Sequence, residues 1–169
     1  MDKLHITSIN TQGLRNINKR NRFYAWCKQQ KASIIFTQET HFTNDIISQV
    51  KSEWEGQTIH SVGTSNSRGV SIFIHKNINV QIQDTTIDEN GRYIICNVTI
   101  NDIDYSLICI YAPNENKRRN AFLRHIKVLT EGKGKGHLVM GGDWNDTQFE
   151  NDRQPKRKRF KINCHLKKT

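Results

Sequence analysis

Apolar and polar positions alternate with period two across Leu4-His-Ile-Thr-Ser-Ile9, the pattern of a half-buried strand, and Thr11-Gln-Gly13 interrupts it. Residues 18 to 30 read as a helix with Phe23 and Trp26 one turn apart on one face. Ser33-Ile-Ile-Phe-Thr-Gln38 is a nearly continuous apolar run of strand length. A strand, a helix and such a run in succession predict a βαβ unit with a buried parallel pair. Thr43 is placed to cap a second helix, 44 to 55, in which Ile46, Ile47, Val50 and Trp54 form a core-facing stripe.

From residue 57 the period changes to two. The runs Thr58 to Val62, Val70 to His75, Ile78 to Gln83, Tyr93 to Ile100 and Ile103 to Ile110 are separated by turn residues and predict an antiparallel meander. A third helix is expected over about 117 to 131, using Phe122, Ile126 and Leu129 and stopping at Gly132. Gly132-Lys-Gly-Lys-Gly136 lacks the spacing of a phosphate-binding loop and follows a helix instead of opening one, so it reads as a helix stop. His137-Leu-Val-Met-Gly141 returns to strand. The expected fold is mixed α/β, without internal repeats.

A chain of 169 residues suits one domain. Its net charge of +10 is unevenly spread. All 16 acidic side chains lie within residues 1–152, whereas 153–169 carry eight basic ones and no acid. The expectation is a nearly neutral body, 1–152, and a basic, disordered tail, 153–169, with a polyanion such as nucleic acid as partner. The four cysteines show no CxxC pair and no zinc-ligand spacing, which suggests a reducing intracellular compartment. Cys96 and Cys109 are placed either to face each other across a hairpin or to lie in the core as small buried thiols, and the second is expected. No apolar run approaches the roughly 20 residues that cross a bilayer, so no membrane role is expected.

Four polar residues stand at the C-terminal ends of predicted strands: Asn10, Glu39, Tyr111 and Asp143. Strand ends place reactive groups on a rigid scaffold within reach of substrate. If the strands run the same way, two carboxylates, an amide and a phenol converge on one rim. That set suits hydrolysis of a phosphate ester with a hard divalent cation. Glu39 is the right type to ligate Mg²⁺, with Mn²⁺ as a substitute, and Asp143 to orient or deprotonate water. Asn145, two residues on in an extended segment, would donate its amide to the same phosphate, and Tyr111 would donate to an oxygen gaining charge. Each residue also has a plainer reading. Asn10 is a turn former, Glu39 a helix N-terminal acid, Tyr111 a core aromatic with a wet tip, and Gly141-Gly-Asp-Trp-Asn145 a turn. Only their joint occurrence favours a site.

Six blocks carry a resemblance: Ser8-Ile-Asn10-Thr-Gln-Gly-Leu14, Gln38-Glu-Thr-His41, Arg68-Gly-Val-Ser-Ile72, Gly91-Arg-Tyr93, Tyr111-Ala-Pro-Asn114 and Gly141-Gly-Asp-Trp-Asn145. In this order and approximate spacing they resemble the endonuclease/exonuclease/phosphatase (DNase I-like) superfamily, over residues 4 to about 150. The blocks QETH, YAPN and GGDWN are similar to the endonuclease domain of non-LTR, LINE-type retrotransposons. The resemblance implies a DNase I-like four-layer α/β sandwich and Mg²⁺-dependent cleavage of a DNA phosphodiester that leaves a 3′-hydroxyl. By position it implies that Glu39 is the metal ligand and Asn10 part of the active-site cluster. It further implies that Tyr111 contacts the phosphate, Asp143 acts on the water and Asn145 orients the phosphate. Arg68 and Asn114 match positions of structural or substrate-orienting type.

Two departures qualify this expectation. Gln12 stands where the superfamily often has Asp or Asn. The family pattern also continues to further acids and a closing Ser-Asp-His, while Asp152 is the last acid here and no Asp-His pair occurs. The fold is therefore expected to be incomplete at its C-terminus and the activity impaired or lost. Gln154-Pro-Lys-Arg-Lys-Arg-Phe-Lys161 resembles a nuclear-import signal and suits phosphate-backbone contact, so the alternative is a non-catalytic fragment that binds nucleic acid through its tail.

Overall fold

The computed structural model describes residues 4–146. The basic segment 153–169, expected to be a disordered tail, and Cys164 lie outside these residues. β1 (Ile6–Asn10) and β2 (Ile34–Gln38) are parallel, with Ile6 opposite Ile34 and Asn10 opposite Gln38. α1 (Ile17–Gln29) makes the crossover. The side chain of Asn16 caps it by accepting from the Lys19 amide at 3.1 Å.

α2 (Asn44–Glu53) follows, then β3 (Gly56–Ser61) and β4 (Val70–His75), and the first sheet has the order β1-β2-β4-β3. Thr43 occupies the cap position of α2, but its hydroxyl bonds Arg15 and Asp45 instead of a helix amide. β5 (Val80–Ile87), β6 (Tyr93–Ile100) and β7 (Ile103–Tyr111) form an antiparallel run. α3 (Asn116–Lys133) then crosses over to β8 (His137–Asp143), which is parallel to β7. The second sheet has the order β5-β6-β7-β8.

The expected five-strand meander is thus divided. β3 and β4 belong to the first sheet and β5 to β7 to the second, because the chain crosses the sandwich after His75. Alternation reports that one face of a strand is buried and is silent about which sheet receives it. The strand expected at Ile78 starts at Val80 and runs on to Ile87 through a register shift at Gln83, while Ile78 packs against the core.

β2 is buried on both faces, which explains its unbroken apolar run. Ile34 and Phe36 meet Cys96, Val98 and Cys109 of the second sheet in the central core. Ile35 and Phe73 point the other way, onto Phe23, Tyr24, Val50 and Trp54 of the α1 and α2 layer. On the far side, Ile95, Ile108 and Ile110 carry Ile126 and Phe122 of α3. The layers run α/β/β/α, the four-layer sandwich that the resemblance implies. Each fully buried Ile or Phe contributes about 1.5–3 kcal/mol.

Cys96 lies opposite Leu107 and Cys109 opposite Ile94, so the two thiols are not cross-strand partners. Both are free and buried, and burial pushes each up to about 12. Among the described residues no helix is long and apolar enough to cross a membrane.

Candidate active site

The two parallel pairs, β1 with β2 and β7 with β8, end at the same mouth of the sandwich, where β1 and β8 approach each other across the sheets. Gly141 permits that approach. A Cβ there would stand 2.6 Å from Phe36 Cδ2 and 3.3 Å from Ser8 Cβ. One residue after Gly142, Asp143 ends β8 opposite Tyr111.

Asn10 is the hinge of this mouth. Its Nδ2 donates to Glu39 Oε1 at 3.0 Å and to Asp143 Oδ2 at 2.9 Å. Its Oδ1 accepts from the backbone amide of Gln12 at 3.1 Å, which turns the NH₂ toward the two carboxylates. Lys19 of α1 steadies the loop by donating to the carbonyls of Thr11 and Gln12 at 2.7 and 2.8 Å. Gln12 itself is exposed, and its amide, not its side chain, enters the cluster.

Asp143 Oδ1 accepts from the Asn145 amide at 2.9 Å, closing a turn in which Asn145 has φ 49°. The segment is therefore not the extended one on which the expected reach of Asn145 toward the phosphate rested. The Asn145 amide group donates instead to the Ala112 carbonyl at 2.6 Å. Burial first, then the neighbouring Glu39 carboxylate, raises the Tyr111 hydroxyl above the ordinary phenol range, with nearby Arg92 opposing. Tyr111 is thus a neutral donor at neutral pH.

Glu39 has φ 52° and His41 φ 57°, a conformation costly for side chains with a Cβ. Backbone bonds hold this segment. Gly13 donates to the Glu39 carbonyl at 2.6 Å, and the His41 amide donates to the Arg68 carbonyl at 3.0 Å. His41 Nε2 lies 3.8 Å from Glu39 Oε2. An open cleft of roughly 560 Å³ runs past Ser8, Asn10, Gln38, Asp143, Trp144 and Asn145.

Five expected residues, Asn10, Glu39, Tyr111, Asp143 and Asn145, are brought together. Arg68 and Asn114 enter by their backbones. Arg68 supplies the carbonyl that holds His41, and Asn114 supplies one to Arg119 Nη1 at 3.1 Å. Arg92 was assigned no role by sequence reasoning. Its guanidinium lies 4.9 Å from the Tyr111 ring centre, and it bonds the Tyr111 and Ala112 carbonyls. The Gly91-Arg-Tyr93 block was its only signal. Arg119 left none, since it sits in a polar stretch that reads as an exposed helix start.

The model of the Endonuclease/Exonuclease/phosphatase family matches residues 7–166. The chain belongs to this family. A curated relative, the transposon TX1 uncharacterized 149 kDa protein of Xenopus laevis, is 28% identical over 157 residues, covering 92% of this chain and 12% of its own length. Among solved structures, the endonuclease domain of TRAS1, a telomere-specific non-LTR retrotransposon, is similar with TM-score 0.60 and 16% identity, over 86% of this chain and 60% of that one. TDP2 of D. rerio, complexed with a single-strand DNA product, matches with TM-score 0.64 and 17% identity, over 87% of this chain and 62% of that one. The chain therefore spans a small part of the transposon protein and about three fifths of these structures. At these identities the structures establish the DNase I-like fold.

Proposed function

We propose that the family activity takes the form of a Mg²⁺-dependent DNA endonuclease of retrotransposon type, with Mn²⁺ as a substitute. The observation that carries this reading is the Asn10 amide, which joins two carboxylates from different sheets at the end of an open cleft. The transposon relative and the TRAS1 domain support the retrotransposon type, and the DNA-bound TDP2 supports DNA as partner.

The donor set fits a hard cation. Mg²⁺ uses one or two carboxylates and completes its shell with water and phosphate oxygen. No group of three or more His, Cys, Asp or Glu is gathered as a metal cage among the described residues. Glu39 would be the ligand, since its side chain is a quarter exposed and faces the cluster. A bound divalent ion would polarise the phosphate and offset charge developing on it.

Asp143, held by N–H donors from Asn10 and Asn145, takes the proton of the attacking water as its oxygen bonds to phosphorus. The bond from phosphorus to the 3′ oxygen breaks, that oxygen takes a proton from solvent water, and the products are a 3′-hydroxyl and a 5′-phosphate. Tyr111 donates to a phosphate oxygen, and Arg92 adds positive potential behind it. Asn145 orients the phosphate once its amide leaves the Ala112 carbonyl. Arg68 and Asn114 shape the rim.

The sequence contains no Asp-His pair, so the 169-residue chain is expected to cleave slowly, about a hundredfold or more below an enzyme with an added transition-state donor. The test is nicking of supercoiled plasmid by the folded chain. Slow nicking in Mg²⁺ that vanishes in EDTA and in Glu39→Ala supports the reading. Nicking that persists in EDTA contradicts it. No nicking by a folded chain favours a second reading, nucleic-acid binding through the eight basic residues of 153–169, which salt would weaken steeply.

A further inference from the structure

Arg119, on the first turn of α3, is buried at 7% exposure although it carries a charge. Its guanidinium bridges two loops. Nη1 donates to the Asn114 carbonyl at 3.1 Å and to the Asn145 carbonyl at 2.8 Å. Nη2 donates to Asn116 Oδ1 at 2.6 Å and to Asp146 Oδ1 at 3.0 Å. One loop follows β7 and carries Tyr111 to Asn114, while the other follows β8 and carries Asp143 to Asp146.

We infer that Arg119 is a positioning residue that sets the place of Asn145, and through it the Asp143 carboxylate, relative to the Tyr111 loop. The inference rests on the proposed phosphodiesterase reading. Asn145 is held at φ 49° by three bonds at its three polar groups. Its amide N–H goes to Asp143, its side chain to Ala112 and its carbonyl accepts from Arg119. Without the third bond the residue is free to leave the left-handed region, and the N–H donor to Asp143 turns away. Of the four acceptors only Asp146 is charged, and its side chain is 58% exposed. The site therefore uses the guanidinium for its shape. A planar fork reaches four acceptors in fixed directions, which the single ammonium of Lys does not do.

The test compares the 169-residue chain with Arg119→Lys, Arg119→Gln and Asp146→Ala, each confirmed folded by circular dichroism. Asp146→Ala removes one exposed acceptor and serves should the arginine variants unfold. Backbone hydrogen exchange at Asn145 is expected to rise about tenfold or more in both arginine variants and about threefold in Asp146→Ala, with β7 and β8 amides unchanged. Plasmid nicking is expected to lose about tenfold or more in kcat, with KM and Mn²⁺ affinity held within about twofold. Exchange at Asn145 equal to that of the parent in every folded variant overturns the inference. So does full recovery by Arg119→Lys, which would mean that charge alone suffices. A parent that does not nick at all refutes the functional reading, while the exchange data still decide whether Arg119 holds the loop.

Discussion

Asn10 Nδ2 and Asp143 Oδ2 meet at 2.9 Å although 133 positions separate them in sequence. The bond joins the edge strand of one sheet to the edge strand of the other, and the same nitrogen reaches Glu39. Asn10→Ala should therefore lower stability by about 2 kcal/mol in urea unfolding, since bonds to charged groups contribute more than neutral ones. Asn10→Asp puts a third carboxylate in the same place. It should destabilise the chain without metal, and millimolar Mg²⁺ should restore the midpoint.

Gly141 is the steric counterpart of that bond. Gly141→Ala should cost about 1–3 kcal/mol, because the new methyl meets the Phe36 ring. Pairing it with Phe36→Leu should recover part of the loss, a coupling that a double-mutant cycle reads directly.

His60 gives the fold a pH dependence separate from the site. Its ring nitrogens bond Ser71 Oγ at 2.8 Å and Thr58 Oγ1 at 2.9 Å, and burial pushes it down to about 4, with Lys51 adding to the effect. The unfolded chain takes up this proton near 6.5 and the folded chain only near 4. Stability is therefore full above pH 6.5, declines as pH falls toward 4, and levels off below. The carboxylate Glu53, lowered by its bonds to Arg20, gives up its contribution only below about 4.5. Between pH 6.5 and 5 the decline should be roughly 1–2 kcal/mol. His60→Asn should flatten it in unfolding measured at several pH values.

Tyr111→Phe removes the phenol donor and keeps the ring beneath Arg92. Nicking should fall about a hundredfold, with Mn²⁺ affinity within about twofold of the parent. Because the hydroxyl is raised above its ordinary range, the parent's rate should show no loss on the alkaline side that traces to Tyr111 below about pH 10.

Most elements were legible because their burial is one-sided and periodic. Ile34 to Gln38 reads as a doubly covered strand, and Phe122, Ile126 and Leu129 read as one helix face. The division of the meander was not legible, since the turn after His75 looks like any hairpin turn. The candidate site was legible as residue types at strand ends, but its internal bonds were not. Asn145 folds back to φ 49° because Ala112, Asp143 and Arg119 each claim one of its polar groups, and no local pattern announces such tertiary partners. Arg119 is buried by two loops that close only when β7 and β8 pair.

In the proposed mechanism Glu39, clamped with Asp143 by Asn10, would hold a divalent cation. Mn²⁺ titration followed by electron paramagnetic resonance tests it without requiring turnover. One Mn²⁺ should bind per folded chain, compete with Mg²⁺ and be lost in a folded Glu39→Ala variant. Equal binding by parent and variant, or none by the folded parent, would contradict the assignment of Glu39 as the ligand.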